Sequence, residues 1–275
     1  MIEHKNTILA IVQARMGATR LPGKVLADIG GQPMLIRVVE RLRRAQKLHE
    51  VVVATTRAVQ DDPLAEVCRG RGYPIYRGEM HDVLDRFYQT ARSFHATVVV
   101  RITADDPVID PQLVDLTVSE FQQSAADFAA NRLPPPWHRT YPNGLDVEVC
   151  SWAALERAWR EAREPFQREH VMPFFYEGLP IESTHVTKSI TAVSPRGFRL
   201  RLVNHDPDYG DLRWAVDTPE DLDLIRRIYA AFGNRDDFTW EQVLALFKSQ
   251  PELVKINAAV KQKRVEEAEP AHPDS

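Results

Sequence analysis

The stretch Ile8–Lys24, ILAIVQARMGATRLPGK, joins an apolar β-branched run to a loop carrying two glycines, a proline and three cations. The run ILAIV is too short to span a membrane and reads as a buried strand. Twelve residues, Gln13–Lys24, leave it with Arg15, Arg20 and Lys24 among them. A glycine-containing loop leaving a buried strand can offer both backbone N–H donors and side-chain cations to phosphate oxygens. Two familiar phosphate-loop templates do not fit. Gly17 lies six residues before Gly23, Val25 stands where a P-loop has Ser or Thr, and no GxGxxG occurs. Taken alone, the loop is either a phosphate cradle or a basic turn.

Working outward, short β-branched runs alternate with helical periodicity: TILAIV, PMLIRVVERLRRA, EVVVATT, PLAEVCRGRG, PIYRG, DVLDRFYQTARSF and ATVVVRIT. Strands separated by helix-length segments are βαβ units, which predict an α/β fold with a mostly parallel sheet flanked by helices. In such sheets ligands bind beyond the carboxyl ends of the strands. Further on, AADFAANRL suggests a short strand before a proline-rich excursion, and LDVEVC returns to alternation ahead of the helix SWAALERAWREA. A helix is expected over FQREHVMPFFYEG with a break at Pro173. LRWAV reads as a strand, and TPEDLDLIRRIYAAFG as a helix with Thr218 as N-cap, Pro219 at its first position and Gly233 as stop. The expected organisation is one domain over 1–250, then a C-terminal helix and disordered tail over 251–275.

The 275 residues are 44% hydrophobic with a formal net charge of -4. That is enough for a sizeable core and argues against a general nucleic-acid binder, which needs a basic excess. No stretch resembles a signal peptide or a membrane span, so a cytoplasmic protein without membrane association is expected. Cys68 and Cys150 stand apart, without metal-ligand spacing, and read as buried thiols.

Three constellations could carry chemistry. The strand VVVRIT runs into Asp105, Asp106 and Asp110; adjacent carboxylates suit a hard divalent cation, while Asp110 before Pro111 also fits a helix cap. Asp217 follows RWAV and precedes another helix. If both strands end on one rim, Asp105 and Asp217 could share a metal. The rest of the rim is filled by Arg77 and Gly78 in a loop, Asp82 at a helix N-cap with Asp85 and Arg86 following on the helix, Asn143, Gly144, Asp146 and Glu148, and Arg168 with Glu169 and His170. Alternation would turn Asp146 and Glu148 to one face of a strand. Each of these taken singly also fits a turn or a solvated surface.

Together, ILAIVQARMGATRLPGKVLADIGGQPML, EVVVATT, YRGEMHDVLDRF, VRITADDPVIDP, GLDVEV, REHV and RWAVDTPEDL stand in an order that resembles the cytidylyltransferase family. The likeness is strongest to its spore-coat-polysaccharide branch, related to CMP-Kdo and CMP-sialic acid synthetases, and covers about Ile8 to Phe232. The resemblance implies a Rossmann-like nucleotide-diphospho-sugar transferase fold, CTP and an acidic sugar as partners, Mg2+ as cofactor, and a homodimer. It implies that Arg15, Arg20 and Lys24 grip the CTP phosphates and that Asp105 and Asp217 bind Mg2+ as the catalytic pair. It implies nucleotide binding by Ala10, Gln13, Ala14, Gly17, Arg77, Asp82 and Asp85. Asn143, Gly144, Asp146, Glu148, Arg168 and His170 would face the acceptor, with dimerisation and acceptor binding in an insertion around 131–190. Two departures stand out: Ala104 replaces the common glycine before Asp105, and Ala18 stands where many relatives carry serine. A non-sugar acceptor such as a phosphonate, or a catalytically idle sugar-nucleotide binder, remain alternatives on the same scaffold.

Overall fold

The computed structural model describes residues 7–180 and 188–261. The tail expected to be disordered lies, from residue 262, outside them. The chain begins with β1 (Ile8–Gln13), a two-residue ladder of β2 (Asp28–Ile29) and β3 (Gln32–Pro33), and α1 (Met34–Leu42). Then come β4 (Glu50–Thr56), α2 (Asp62–Arg71), β5 (Ile75–Gly78), α3 (Val83–Ser93), β6 (Val98–Thr103) and α4 (Pro111–Gln123). The second half holds β7 (Phe128–Ala130), β8 (Glu148–Ser151), α5 (Trp152–Glu161), α6 (Pro165–His170), α7 (Pro173–Tyr176), β9 (Ile190–Val193), β10 (Arg199–Leu202), α8 (Pro219–Ala231) and α9 (Trp240–Ser249).

One sheet runs in the order β5-β4-β1-β6-β8-β7-β10-β9. The pairs β5–β4, β4–β1, β1–β6 and β7–β10 are parallel, while β8 and β9 run against their neighbours. This is the mostly parallel α/β sheet that the alternation of runs predicts. Strand β1 shows why it is central. Ile8, Ala10 and Val12 enter the core on one face of the sheet, Leu9 and Ile11 the core on the other. A strand buried on both faces needs a continuous apolar run rather than alternation.

Register sets the position of the site. Gln13 pairs with Ala54 of β4 and with Thr103 of β6, so β1 and β6 end level, β4 runs two residues further to Thr56, and all three release their loops onto one rim. Helix caps read from the sequence hold: the Asp82 carboxylate accepts from Asp85 N, and Asp110 accepts from Gln112 N and Leu113 N. Thr218 forms a capping box with Asp221 at the start of α8. Both cysteines are buried and free, as expected.

Other expectations are corrected. LRWAV is not a strand: only Arg213 forms a bridge, to Asn143, because the segment packs on loops. Trp214 N donates to Asn143 O at 2.6 Å and Val216 N to Asp105 O at 2.8 Å. Arg77 and Gly78 belong to β5 rather than to a loop, paired with Thr55 and Thr56 of β4. The helix over FQREHVMPFFYEG is interrupted, as expected, but the break falls at Val171, whose φ is 69°, and Pro173 opens α7. Glu148 opens β8, whereas Asp146 precedes it. After α9, among the described residues, the C-terminal helix expected from 251 is a 3-10 turn, Pro251–Lys255. Strands β9 and β10 were not expected.

Candidate active site

The loop after β1 is pinned before it reaches the rim. Ala14 N donates to Ala54 O at 3.1 Å, and Met16 N donates to the buried Asp61 carboxylate at 2.7 Å. The other oxygen of Asp61 accepts from Thr56 Oγ1 at the end of β4. Met16 O then accepts from both Ala18 N and Gly23 N at 2.9 Å, closing a tight loop. Gly23 sits at φ 72°, a left-handed conformation that glycine adopts without a Cβ clash. The 3-10 turn Lys24–Leu26 that follows aims Lys24 back across the rim.

There the Lys24 ammonium donates to Asp105 Oδ2 at 2.8 Å, Asp217 Oδ1 at 2.8 Å and Val216 O at 2.7 Å. Three donors of one nitrogen are thus used, and the two aspartates that follow separate core segments meet at one cation. Asp217 Oδ2 also takes Arg20 at 2.8 Å and Arg213 at 2.6 Å. Arg213 is held in turn by Asp221, fully buried beneath it, whose carboxylate also accepts from Asp217 N, Thr218 N and Asn257 Nδ2. Burial by itself would push the Lys24 ammonium down, but Asp105 and Asp217 outweigh it and hold it above its ordinary value. Burial would likewise raise the Asp217 carboxyl, yet Lys24, Arg20 and Arg213 hold it well below the usual carboxylate range.

A second charged group lies deeper, where β6 meets β8. Arg101 pairs with Glu148 and reaches Gln13 Oε1 at 3.3 Å. Asp146 takes Arg132 at 2.8 Å and Arg139 at 3.2 Å. Burial favours the neutral acid at Asp146, but Arg132, Arg139 and Arg101 keep it below its ordinary value. Asp106 goes the other way: burial first, then Asp146 and Asp105, push it well above the carboxylate range, with only Thr103 Oγ1 and Arg132 opposing. Asn143 and Gly144 sit on the same side, where Gly144 is at φ 106° and a Cβ would lie 2.5 Å from Trp214 and Ala215 backbone atoms. Glycine is therefore required for the close approach of 214–216, whatever else it does.

The remaining residues singled out by sequence distribute unevenly. Ala10 is mid-strand in the apolar core, away from the rim. Gly17 is exposed on the loop, and Arg15 lies near Arg86 of α3. Arg77 is occupied by its own surroundings, donating Nε to Thr56 O, Nη2 to Ala58 O and pairing Nη1 with Asp62. Asp82, expected at the nucleotide, and Arg168, expected at the acceptor, bind each other: Arg168 Nε and Nη2 reach Asp82 Oδ2 at 2.8 and 2.5 Å. Asp85 accepts from Trp159 Nε1 at 2.8 Å, joining α3 to α5. His170 is the last residue of α6.

Sequence reasoning missed Asp61, Arg101, Arg132, Arg139, Arg213 and Asp221. Only Asp221 carried a local signal, as the fourth residue of the capping box TPED. Arg86 is fully buried; burial first, then the neighbouring Arg15, push it down to about 10.

A cytidylyltransferase family profile matches residues 9–263. An uncharacterised protein of Methanocaldococcus jannaschii is 31% identical over 95% of this chain and 99% of its own. The spore coat polysaccharide biosynthesis protein SpsF of Bacillus subtilis is 30% identical over 90% of this chain and 96% of its own. A 3-deoxy-manno-octulosonate cytidylyltransferase of Anaeromyxobacter dehalogenans is 28% identical over 82% and 98%. Among solved structures, a cytidylyltransferase from Leptospira borgpetersenii superposes with a TM-score of 0.78 at 27% identity, covering 93% of this chain and 98% of that one. With a matching profile spanning the sheet and both halves of the ionic rim, the chain belongs to the cytidylyltransferase family and is a nucleotidyltransferase.

Proposed function

We propose that the protein transfers CMP from CTP to an acidic sugar, a nonulosonic or Kdo-like acid, in cell-surface polysaccharide biosynthesis, releasing pyrophosphate. The observation that carries this reading is the meeting of Lys24 with Asp105 and Asp217, 81 and 193 residues apart in sequence, at the carboxyl rim of a parallel sheet. A merely structural turn has no use for two carboxylates and three cations at a partly open rim.

The acceptor hydroxyl oxygen attacks the α-phosphorus of CTP, the bond from that phosphorus to the bridging oxygen breaks, and pyrophosphate leaves. The hydroxyl proton passes to solvent. Lys24, Arg20 and Arg15 neutralise the charge that accumulates on the leaving group, and the pinned loop holds them in position before the reaction begins. Asp105 and Asp217 would hold a divalent cation, Mg2+ in this reading. The donor set fits: two hard carboxylates that already share one cation, with no third His, Cys, Asp or Glu grouped with them among the described residues. Mg2+ commonly takes one or two carboxylates and completes its shell with phosphate oxygens and water. When bound, such an ion supplies Lewis-acid polarisation of the phosphoryl oxygens.

The acceptor would lie over β6 and β8, beside Asn143, Gly144, Asp146 and Glu148, whereas Arg168 and His170, also expected to face it, sit on α6. Arg101, Arg132 and Arg139 bring three guanidinium groups to that side, suited to a carboxylate. A phosphonate would suit them as well. A CTP substrate agrees with the cytoplasmic location expected, and a homodimer through 131–190 belongs to the same reading, checked by light scattering on the eluting protein. The decisive experiment is a pyrophosphate-release screen with CTP against acidic sugars and phosphonates, with the other nucleoside triphosphates as controls. Release with an acidic sugar and CTP is expected; release confined to phosphonates would replace the acceptor class, and none with any acceptor would leave an idle binder.

A further inference from the structure

The two rim aspartates are held in different ways. The Asp105 carboxylate meets Lys24 and, among the described residues, no second side-chain donor. Asp217 is fixed at both its backbone and its side chain by one buried network. Its N–H donates to Asp221 Oδ2 at 2.9 Å, beside Thr218 N at 3.1 Å. Its Oδ2 accepts from Arg213 Nη2 at 2.6 Å, so Oδ1 is the oxygen turned to Lys24.

Arg213 is itself locked in place. It lies along Asp221 with Nε on Oδ1 at 3.0 Å and Nη2 on Oδ2 at 3.1 Å, a bidentate pair that fixes the plane of the guanidinium. Nη2 thereby bridges two carboxylates, that of the fully buried Asp221 and that of Asp217 at the rim. A lysine ammonium would reach either carboxylate but has no rigid fork to set the angle between them.

The last member of the network comes from far along the chain. Asn257 is buried and follows the 3-10 turn after α9. Its Nδ2 donates to Asp221 Oδ1 at 2.8 Å and to Arg213 O at 3.0 Å. One amide thus ties the side chain of Asp221 to the main chain of the segment that carries Arg213. Leu253, in the same turn, anchors the segment in the apolar core without entering the network. The stretch beyond residue 250, expected as a helix and tail outside the domain, therefore reaches the support of the rim.

We infer that Arg213 and Asn257 are positioning residues for the divalent cation: Arg213 holds Asp217 with Oδ1 facing into the rim, and Asn257 holds Asp221 and Arg213 in the geometry that does so. The inference rests on the proposed reading in which Asp105 and Asp217 bind that ion. Altering a group that orients a metal ligand without touching the metal changes metal affinity by roughly ten- to a hundredfold. Asn257→Ala and Arg213→Lys both leave the charge near Asp217 unchanged, so orientation is what they report.

Titration calorimetry with CTP, in excess Mg2+ and in EDTA, on the wild type, Asn257→Ala, Arg213→Lys and Leu253→Ala tests it, with urea unfolding of each. In the wild type Mg2+ should tighten CTP binding. That gain should shrink by roughly tenfold in Asn257→Ala and by up to about a hundredfold in Arg213→Lys, or vanish if it is smaller, while the affinity in EDTA stays close to wild type. Leu253→Ala should lose stability and keep the full gain, because it opens a cavity without touching the network. A full gain in Asn257→Ala or in Arg213→Lys, or an equal loss of gain in Leu253→Ala, overturns the inference while leaving the proposed function standing. A wild type in which Mg2+ adds nothing removes the reading of Asp105 and Asp217 as metal ligands, and one that binds no CTP removes the proposed function; the inference falls with either. Should Asn257→Ala not fold, Asn257→Ser, which keeps a single donor, is read in the same way: a reduced gain supports the assignment and a full gain refutes it.

Discussion

The molecule holds two dense charge groups that look alike on paper and differ in one physical respect. At the rim, Arg20, Lys24 and Arg213 surround Asp105 and Asp217; beneath β6 and β8, Arg101, Arg132 and Arg139 surround Asp146 and Glu148. Rim side chains keep 9–32% of their surface in water, the deeper ones 3–12%. Partly open charges can exchange protein partners for a ligand at modest cost, whereas enclosed ones lose their only compensation when a partner goes. The rim group is thus suited to chemistry. The deeper group is suited to holding β6, β8 and the 131–147 loop together.

The comparison is tested most severely at Asp217. Asp217→Asn should lower pyrophosphate release by about a hundred- to a thousandfold, since it removes the charge shared by Lys24, Arg20 and Arg213. The protein should stay folded, because Asp221 still holds Arg213. Lys24→Ala should be nearly as damaging to CTP turnover while leaving CMP binding close to wild type, the lost contact being to the leaving phosphates. Turnover near wild type in either variant would return the rim to a structural role.

Glu148→Ala breaks the deeper group. It leaves Arg101 buried without a carboxylate, and a loss of about 3–5 kcal/mol in urea unfolding is expected. Were Asp217→Asn to cost as much stability as Glu148→Ala, exposure would not be what separates the two groups.

How much of this was legible follows from the range over which each signal acts. Strand β1 and helix α8 were readable because period and caps are written within a few neighbouring residues. LRWAV misled because its apolar side chains are buried under loops: the backbone of Trp214 and Val216 bonds to Asn143 and Asp105, and periodicity cannot tell that from pairing in a sheet. The hairpin β9–β10 did carry alternation, with Leu200 and Leu202 buried, but four-residue strands offer too few repeats to stand out. Asp105 and Asp217 could be joined from the sequence only on the condition that their segments end on one rim, and Lys24 was added to them only by the family resemblance, since no local spacing reports that residues 193 apart touch. Arg213 had no local signal, and Arg168 and Asp82 were each noticed while their attachment to one another was not.

Acid titration separates the groups by sign. The folded Asp217 carboxyl lies well below its unfolded value near 3.8, so its contribution to stability is complete above that value and fades as pH falls below about 4. Asp106, raised in the folded state by burial and by Asp146 and Asp105, acts oppositely: its carboxylate form opposes folding, and that penalty disappears on protonation. Urea unfolding of the wild type between pH 5 and 3 should therefore show falling stability, with a shallower slope in Asp217→Asn and a steeper one in Asp106→Asn. Equal slopes in all three proteins would mean that neither carboxyl is perturbed.

The smallest effect is expected where charge is most open. Arg227 and Asp223 form an i,i+4 pair on α8 at 3.1 Å, with side chains 58% and 51% exposed. Water screens the pair and side-chain entropy opposes it, so Arg227→Ala should change stability by no more than about 0.5 kcal/mol. The pair repeats the chemistry of Arg101 and Glu148, a guanidinium on a carboxylate, with enclosure as the main variable changed. If urea unfolding found Arg227→Ala as costly as Glu148→Ala, the ranking of all the charge groups by exposure would fail, the assignment of the rim as the exchangeable one included.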